Sequence, residues 1–231
     1  MNTTLYLLPT PLSDENILPL TVPYNISVIH SCKYFVVEEL KTARRFLKAI
    51  DRNINIDDLS FSVLNEHTPP QELIEIFKAV QQNENVILMS EAGCPGVADP
   101  GAALVQMAHK QNIKVVPLIG PSSILMAVMS AGLNGQNFAF NGYLPKEKSD
   151  RTQKIKSLEK LSVNQSQWFI ETPYRNMQLL DELLATLKGN TKLCIALNIT
   201  AANEFIKTKT ANDWKKEKPE LNKIPCVFGI G

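Results

Sequence analysis

The 231-residue sequence predicts an α/β protein of two domains, and three observations lead there. Short apolar runs alternate with amphipathic segments along the first half, the pattern of βαβ units and of a mostly parallel sheet with helices on both faces. Beyond Gly120-Pro121 the alternation stops, and two extended segments, 192–199 and 204–210, follow each other with no room for a crossover helix. They must pair antiparallel, so the second half is expected to hold a mixed sheet with helices. Charge divides with the pattern: residues 1–117 carry 9 Lys and Arg against 13 Asp and Glu, while residues 118–231 carry 15 against 10. Domains of 1–117 and 118–231 are therefore expected.

The elements follow in order. Apolar and β-branched runs predict strands over 4–9, 26–30 and 35–38. A helix is predicted over 41–51, where Lys41, Arg44, Arg45 and Lys48 recur at helical spacing. Strand 61–64, helix 71–82, strand 86–90, helix 101–111 and strand 114–118 continue the alternation. The run Val86-Ile87-Leu88-Met89 has no polar partner face, as suits a strand buried on both sides. In the second half, a small-residue helix over 122–131 precedes an extended segment over 138–143 and a charged helix over 150–161. A strand over 167–171 leads to a helix begun by Pro173, which a first turn tolerates, and ended near Leu187 by Gly189-Asn190. The strands 192–199, 204–210 and 224–230 close the chain.

Composition excludes several classes. No apolar stretch nears the roughly 18 residues of a membrane helix, and the start, MNTTLYLLPTPLSDEN, lacks a basic region and a small-residue cleavage site, so a cytoplasmic location is expected. Cys32, Cys94, Cys194 and Cys226 have no C-x-x-C spacing and no accompanying histidine cluster. Neither a metal site nor a disulfide framework is expected. A formal net charge of +1 neither invites nor excludes a polyanion.

The most unusual stretches are rich in Gly and Pro: 9–14, 91–101 and 119–123. All three fall at the carboxyl ends of expected strands, where open α/β sheets bind ligands. Proline fixes φ and glycine permits close backbone approach, so such corners form a rigid rim poor in side chains. None is G-x-G-x-x-G or G-x-x-x-x-G-K-[ST], so the ligand need not be phosphorylated.

The ordered series LYLLPTP, VVEELKTARRFL, NEH, VILMSEAGCPGVADPG, VVPLIGPSS, GYLPKEK and FIETPYR spans nearly the whole chain. It resembles the tetrapyrrole methylase superfamily of class III S-adenosylmethionine-dependent methyltransferases. Within it, the series is most similar to the branch that methylates ribose 2′-hydroxyls of small-subunit ribosomal RNA, with motifs LYLVPTP, AAEDTR, HEHN, SDAGTP-x-x-x-DPG, PGPSA, GFLPRK and YESPHR. The resemblance implies two α/β domains with S-adenosylmethionine folded in the cleft between them, S-adenosylhomocysteine as product, and a homodimer.

Carried over by position, the resemblance assigns cofactor contacts to Leu12, Ala92, Gly93, Cys94, Val97, Ser122 and Ser123, and to Glu171, Leu197 and Asn198 of the second domain. A ribose hydroxyl needs a base to take its proton during attack. Glu39, at the Asp position of AAEDTR with Glu38 beside it, is the candidate; the alternative is that both carboxylates are a solvated helix N-terminus favoured by the helix dipole. Lys41, Arg44, Arg45, Lys48 and Arg52 form a stripe that could meet RNA phosphates or simply face solvent. Lys146, Lys148, Arg151, Lys154 and Lys156 form a second basic cluster. His67 matches the HEHN region, which the resemblance places near the substrate; the alternative is the structural role that a lone histidine more often has. One departure bears on the acceptor: where the RNA branch carries ARELTK, its Arg, Glu and Lys are replaced by Leu197, Asn198 and Ala201.

Three activities are therefore open: a methyltransferase acting on RNA ribose, one acting on a tetrapyrrole or other small molecule, and a cofactor-binding relative without turnover. Against the second, the first loop is Pro-Thr-Pro and not the GAGPGD of tetrapyrrole enzymes.

Overall fold

The structure, a computed structural model, describes residues 3–13 and 22–231. Asp14, the last residue of the first Gly/Pro stretch, lies outside the described residues. The chain divides into two compact units, Met1–Ser122 and Ser123–Gly231.

The first unit runs β1 (Thr4–Leu8), α1 (Pro23–Ser31), β2 (Tyr34–Val37), α2 (Leu40–Ile50), β3 (Ser60–Val63), α3 (Pro70–Gln81), β4 (Asn85–Met89), α4 (Gly101–Lys110) and β5 (Lys114–Pro117). Its five strands are all parallel, in the order β3-β2-β4-β1-β5. Successive strand residues face opposite sides. Phe35, Val37, Ile87 and Met89 pack with Val28, Ile29, Phe46 and Leu47 of α1 and α2. Tyr34, Val36, Val86 and Leu88 pack with Ile76, Phe77, Val80 and Leu104 of α3 and α4. At roughly 1.5–3 kcal/mol for each large apolar side chain removed from water, the two cores hold the strands firmly. The loops at the strands' carboxyl ends thus start from fixed points.

Residues 26–30 are not a strand. They lie in α1, whose first turn holds Pro23 and whose buried face is Asn25, Val28 and Ile29. That three- and four-residue spacing is helical, and the β-branched run Ile26-Ser27-Val28-Ile29 masked it. Asn25 is buried and donates through Nδ2 to the carbonyl of Ile119 at 2.7 Å, tying α1 to the loop after β5.

The second unit runs α5 (Ser123–Ser130), β6 (Phe138–Tyr143), α6 (Lys148–Leu161), β7 (Ser166–Ile170), a 3-10 turn (Pro173–Arg175), α7 (Asn176–Thr186), β8 (Lys192–Leu197), β9 (Phe205–Thr210), α8 (Ala211–Lys216) and β10 (Cys226–Ile230). The sheet order is β6-β7-β10-β8-β9, mixed as expected: β6 and β7 are parallel, and the other pairings are antiparallel. Because β10 runs against both neighbours, β6, β7 and β8 point the same way, and their carboxyl ends share one sheet edge. α6, α7 and α8 cover one face around Phe169, Ile195 and Phe228.

Two details differ from the sequence reading. α8 was not expected; Thr210 caps it, its hydroxyl accepting from the Asp213 amide at 3.2 Å, and the T-x-x-D spacing was the available signal. Arg151 is not part of a basic surface. It is 2% exposed, donates from Nε and Nη2 to the two Glu182 carboxylate oxygens at 2.6 and 2.7 Å, and donates from Nη1 to the carbonyls of Pro145 and Lys146. The helical register turned it inward, where only a paired guanidinium is tolerated.

Candidate active site

Strands β4, β1 and β5 are neighbours, so the three Gly/Pro corners leave adjacent points of one sheet edge. They are joined there. Thr10 and Gly93 exchange main-chain hydrogen bonds of 2.9 and 3.2 Å. The Thr10 hydroxyl donates to the Ser90 carbonyl at 3.2 Å, and the Ser90 hydroxyl to that of Gly93 at 3.1 Å. The third corner is held by the Cys94 thiol, which donates to the Pro121 carbonyl at 3.3 Å.

Two glycines make this contact possible. Gly93 has φ +76°, and a Cβ on it would stand 3.3 Å from Leu12 Cδ2. A Cβ on Gly120 would fall 2.3 Å from Cβ of Pro9, inside van der Waals contact with a ring that cannot swing away. Gly96 at φ +81° and Ala98 at φ +60° are two further left-handed residues in the same corner. Such a conformation is uncommon for a residue with a side chain and clusters at functional sites.

Asp99 ties the end of this corner together. Its Oδ1 accepts from the amides of Gly96 at 2.8 Å and Gly101 at 2.7 Å, while Oδ2 is buried without a hydrogen-bond partner among the described residues. Burial pushes its carboxyl above the ordinary aspartate value. Sequence reasoning passed over Asp99, although an Asp-Pro-Gly directly before a helix is a capping signal. Burial also raises the Cys94 thiol, despite its bond with Ser122, so this cysteine stays protonated and is a donor in the rim.

The next strands along the same edge carry the other candidates. Glu39 is exposed and caps α2, its Oε2 accepting from the Thr42 amide at 2.6 Å. That bond, with the Lys41 amide, holds its carboxyl below the ordinary glutamate value. The sequence candidate for the base is thus placed as a helix cap. Glu38 is the half-buried member of the pair, with Oε2 accepting from the Glu91 amide at 2.8 Å. His67 sits on the loop after β3, largely exposed, its Nε2 3.6 Å from Glu66 Oε1. Lys41, Arg44, Arg45 and Lys48 are all on the exposed face of α2, with Ala43, Phe46 and Leu47 beneath, and Arg44 lies over the Phe61 ring at 5.3 Å.

In the second unit, Ser123 opens α5, and Glu171 and the pair Leu197 and Asn198 fall at the shared carboxyl edge of β7 and β8. The Glu171 side chain is 3% exposed, pairs with Arg175 at 3.0 Å and accepts from the Thr172 amide at 2.8 Å. Leu197 is buried. Asn198 has φ +46°, donates its amide to the Pro225 carbonyl at 3.1 Å, and joins Asn203 through its side chain at 3.0 Å. Thr200 has φ +77°, so backbone strain gathers here as it does at 93–98. The cofactor residues predicted in the first unit therefore fall on three corners joined to one another; in the second unit Glu171, Leu197 and Asn198 share one sheet edge, while Ser123 opens α5.

The residues present fit S-adenosylmethionine. The rim is main chain and small side chains, which can read the edges of a nucleoside and an amino-acid tail. Its segments, 9–13, 90–101 and 118–122, contain Glu91 and Asp99 but no lysine or arginine. Such a rim favours a cationic sulfonium and gives a pyrophosphate nothing to hold.

Residues 5–214 match the model of the family described as Tetrapyrrole (Corrin/Porphyrin) Methylases. The "Ribosomal RNA small subunit methyltransferase I" of Vibrio cholerae is 29% identical over 225 residues, which cover 94% of this chain and 75% of that relative. The protein of the same name from Escherichia coli O157:H7 is 26% identical over 227 residues, covering 97% and 76%. A solved uroporphyrin-III C-methyl transferase from Thermus thermophilus, complexed with S-adenyl homocysteine, superposes with a TM-score of 0.60 at 13% identity over 99% of this chain and 97% of its own. With a family model spanning almost its whole length and a matching two-sheet fold, this chain belongs to the tetrapyrrole methylase family of methyltransferases.

Proposed function

We propose that the protein transfers the methyl group of S-adenosylmethionine to a ribose 2′-hydroxyl of small-subunit ribosomal RNA. The observation that carries this reading is the joined set of three corners beside the exposed basic face of α2. One feature is shaped for a sulfonium nucleoside and the other can bind phosphate, and α2 starts where β2, the neighbour of β4, ends.

When bound, S-adenosylmethionine supplies a methyl carbon already activated by its sulfonium. The chain's task is alignment, and fixing two reactants in attack geometry can supply much of the rate. Leu12, Ala92, Gly93, Cys94, Val97 and Ser122 hold the nucleoside against a rim that hydrogen bonds have already ordered. Ser123, Glu171, Leu197 and Asn198 are the further cofactor contacts that the motif match proposes. Lys41, Arg44 and Arg45 hold the RNA backbone, with His67 at the far end of the row. Phosphate contacts of this kind set register without reading sequence. A cytoplasmic location and a homodimer belong to the same proposal.

The names of the relatives and the Pro-Thr-Pro first corner support RNA over a tetrapyrrole. The replacement of three family charges by Leu197, Asn198 and Ala201 favours a second reading, a cofactor binder without turnover.

Labelled S-adenosylmethionine, the purified protein and small ribosomal subunits separate these readings. Subunits from a strain deleted for the gene are expected to accept label on a ribose, whereas those from the parent strain, already methylated, are not. Label on neither, with S-adenosylmethionine bound, would select the second reading; label on uroporphyrinogen alone would select the tetrapyrrole.

A further inference from the structure

We propose that Glu38 is the general base that takes the proton of the attacking hydroxyl. This rests on the reading of the protein as a methyltransferase acting on a hydroxyl of RNA.

Geometry distinguishes Glu38 from its neighbour. β2 pairs with β4 on one side and β3 on the other, so its carboxyl end lies between the three joined corners and the loop carrying His67. The Glu38 amide bonds the Met89 carbonyl at 3.2 Å, continuing the ladder one step past the strand. Its carboxylate then reaches the Glu91 amide at the start of the second corner. One oxygen is therefore fixed against the rim expected to hold the methyl donor. The other, Oε1, accepts no hydrogen bond among the described residues. A base needs this arrangement: one oxygen to set its position and one with a lone pair free to receive a proton.

The electrostatics agree. Burial is the first cause that pushes the Glu38 carboxyl above the ordinary glutamate value, and Asp99, Glu91 and Glu66, from the loops on either side, add repulsion; the bond from the Glu91 amide opposes them. Upward tuning brings a carboxylate closer to the affinity a proton acceptor needs near neutral pH. Glu39 is tuned the other way, and its carboxylate is taken by the helix cap.

The step balances. The hydroxyl O–H bond breaks and its proton passes to Glu38 Oε1, while the oxygen bonds to the methyl carbon. The carbon–sulfur bond breaks with its electron pair left on sulfur, so the sulfonium becomes a neutral thioether and Glu38 later returns the proton to water.

Glu38→Gln keeps an oxygen for the Glu91 amide and removes the proton acceptor. Single-turnover transfer of label to deletion-strain subunits, over a pH series, is expected to slow by about 100-fold or more. Affinity for S-adenosylmethionine, measured by calorimetry on the same samples, should be unchanged. The wild-type rate should fall as pH drops through a midpoint above the ordinary glutamate value, and Glu38→Gln should lose that limb. An unchanged rate, a rate lost only in proportion to cofactor affinity, or a rate loss confined to Glu39→Gln would overturn the assignment. A wild-type protein that binds S-adenosylmethionine but labels no RNA would instead overturn the acceptor reading, and the base with it.

Discussion

Gly120→Ala is expected to weaken binding of S-adenosylmethionine by roughly tenfold to a hundredfold, because the added methyl cannot be accommodated where the third corner meets the first. The new Cβ would fall 2.3 Å from Cβ and 2.7 Å from Cγ of Pro9. Pro9 cannot yield by rotation, since its ring fixes the backbone that begins the first corner. Overpacking of this kind costs about 1–3 kcal/mol, and each 1.4 kcal/mol is a factor of ten in binding if the displaced corners are the binding surface. Calorimetric titration with S-adenosylhomocysteine reads the loss directly. Neither Pro9 nor Gly120 belongs to the two apolar cores of the first unit, so a thermal melt should show a folded protein with a lowered midpoint. Affinity equal to wild type would mean that the junction of the first and third corners is not part of the site.

The largest expected effect on stability is at Arg151. Its guanidinium is 2% exposed, holds Glu182 by two hydrogen bonds and caps the carbonyls of Pro145 and Lys146, so one side chain fixes the turn between β6 and α6 and pins α6 to α7. Arg151→Met leaves Glu182 charged and nearly buried, with Gln178 as its one remaining hydrogen-bond partner, at 3.1 Å, among the described residues. Breaking a buried pair from one side costs about 3–5 kcal/mol. For a chain of this size that is a fall in melting temperature of about 2–4 °C for each kcal/mol. Arg151→Met combined with Glu182→Leu should recover most of the loss, because no unpaired charge then remains.

The same pair sets a pH dependence. Hydrogen bonds from Arg151 hold the Glu182 carboxyl below the ordinary glutamate value. A depressed folded pKa contributes stability that is present above the unfolded value, about 4.3, and is lost as pH falls towards the folded one. The wild type should lose this contribution below about pH 4, and the double variant should not.

Much of the architecture was legible because the first unit obeys one rule at a time. Val86-Ile87-Leu88-Met89 is apolar on both faces because both faces are covered, and α2 shows its buried face through Ala43, Phe46 and Leu47. α1 was misread because β-branched residues at its centre imitate a strand, and its helical signal, Pro23 with Asn25, Val28 and Ile29, depends on contacts made far along the chain. The sequence also placed the three Gly/Pro corners at strand ends, and the register of β4, β1 and β5 explains why they meet.

The charged residues were less legible. Glu38 and Glu39 are adjacent and chemically alike, yet one turns inward beneath the second corner and the other caps a helix. Which does which is decided by the step from β2 into α2 and by the Glu91 amide 53 residues away, neither of which has a local signature. Arg151 shows the same limit, since its place in a run of lysines hides a partner on another helix.

Amide hydrogen exchange of the intact protein with and without S-adenosylhomocysteine tests the central claim most directly. The account expects residues 9–13, 91–97 and 119–122 to gain protection together on binding, because their main chain forms the rim. Binding that leaves these segments exchanging as before, with protection confined to other regions, would contradict it.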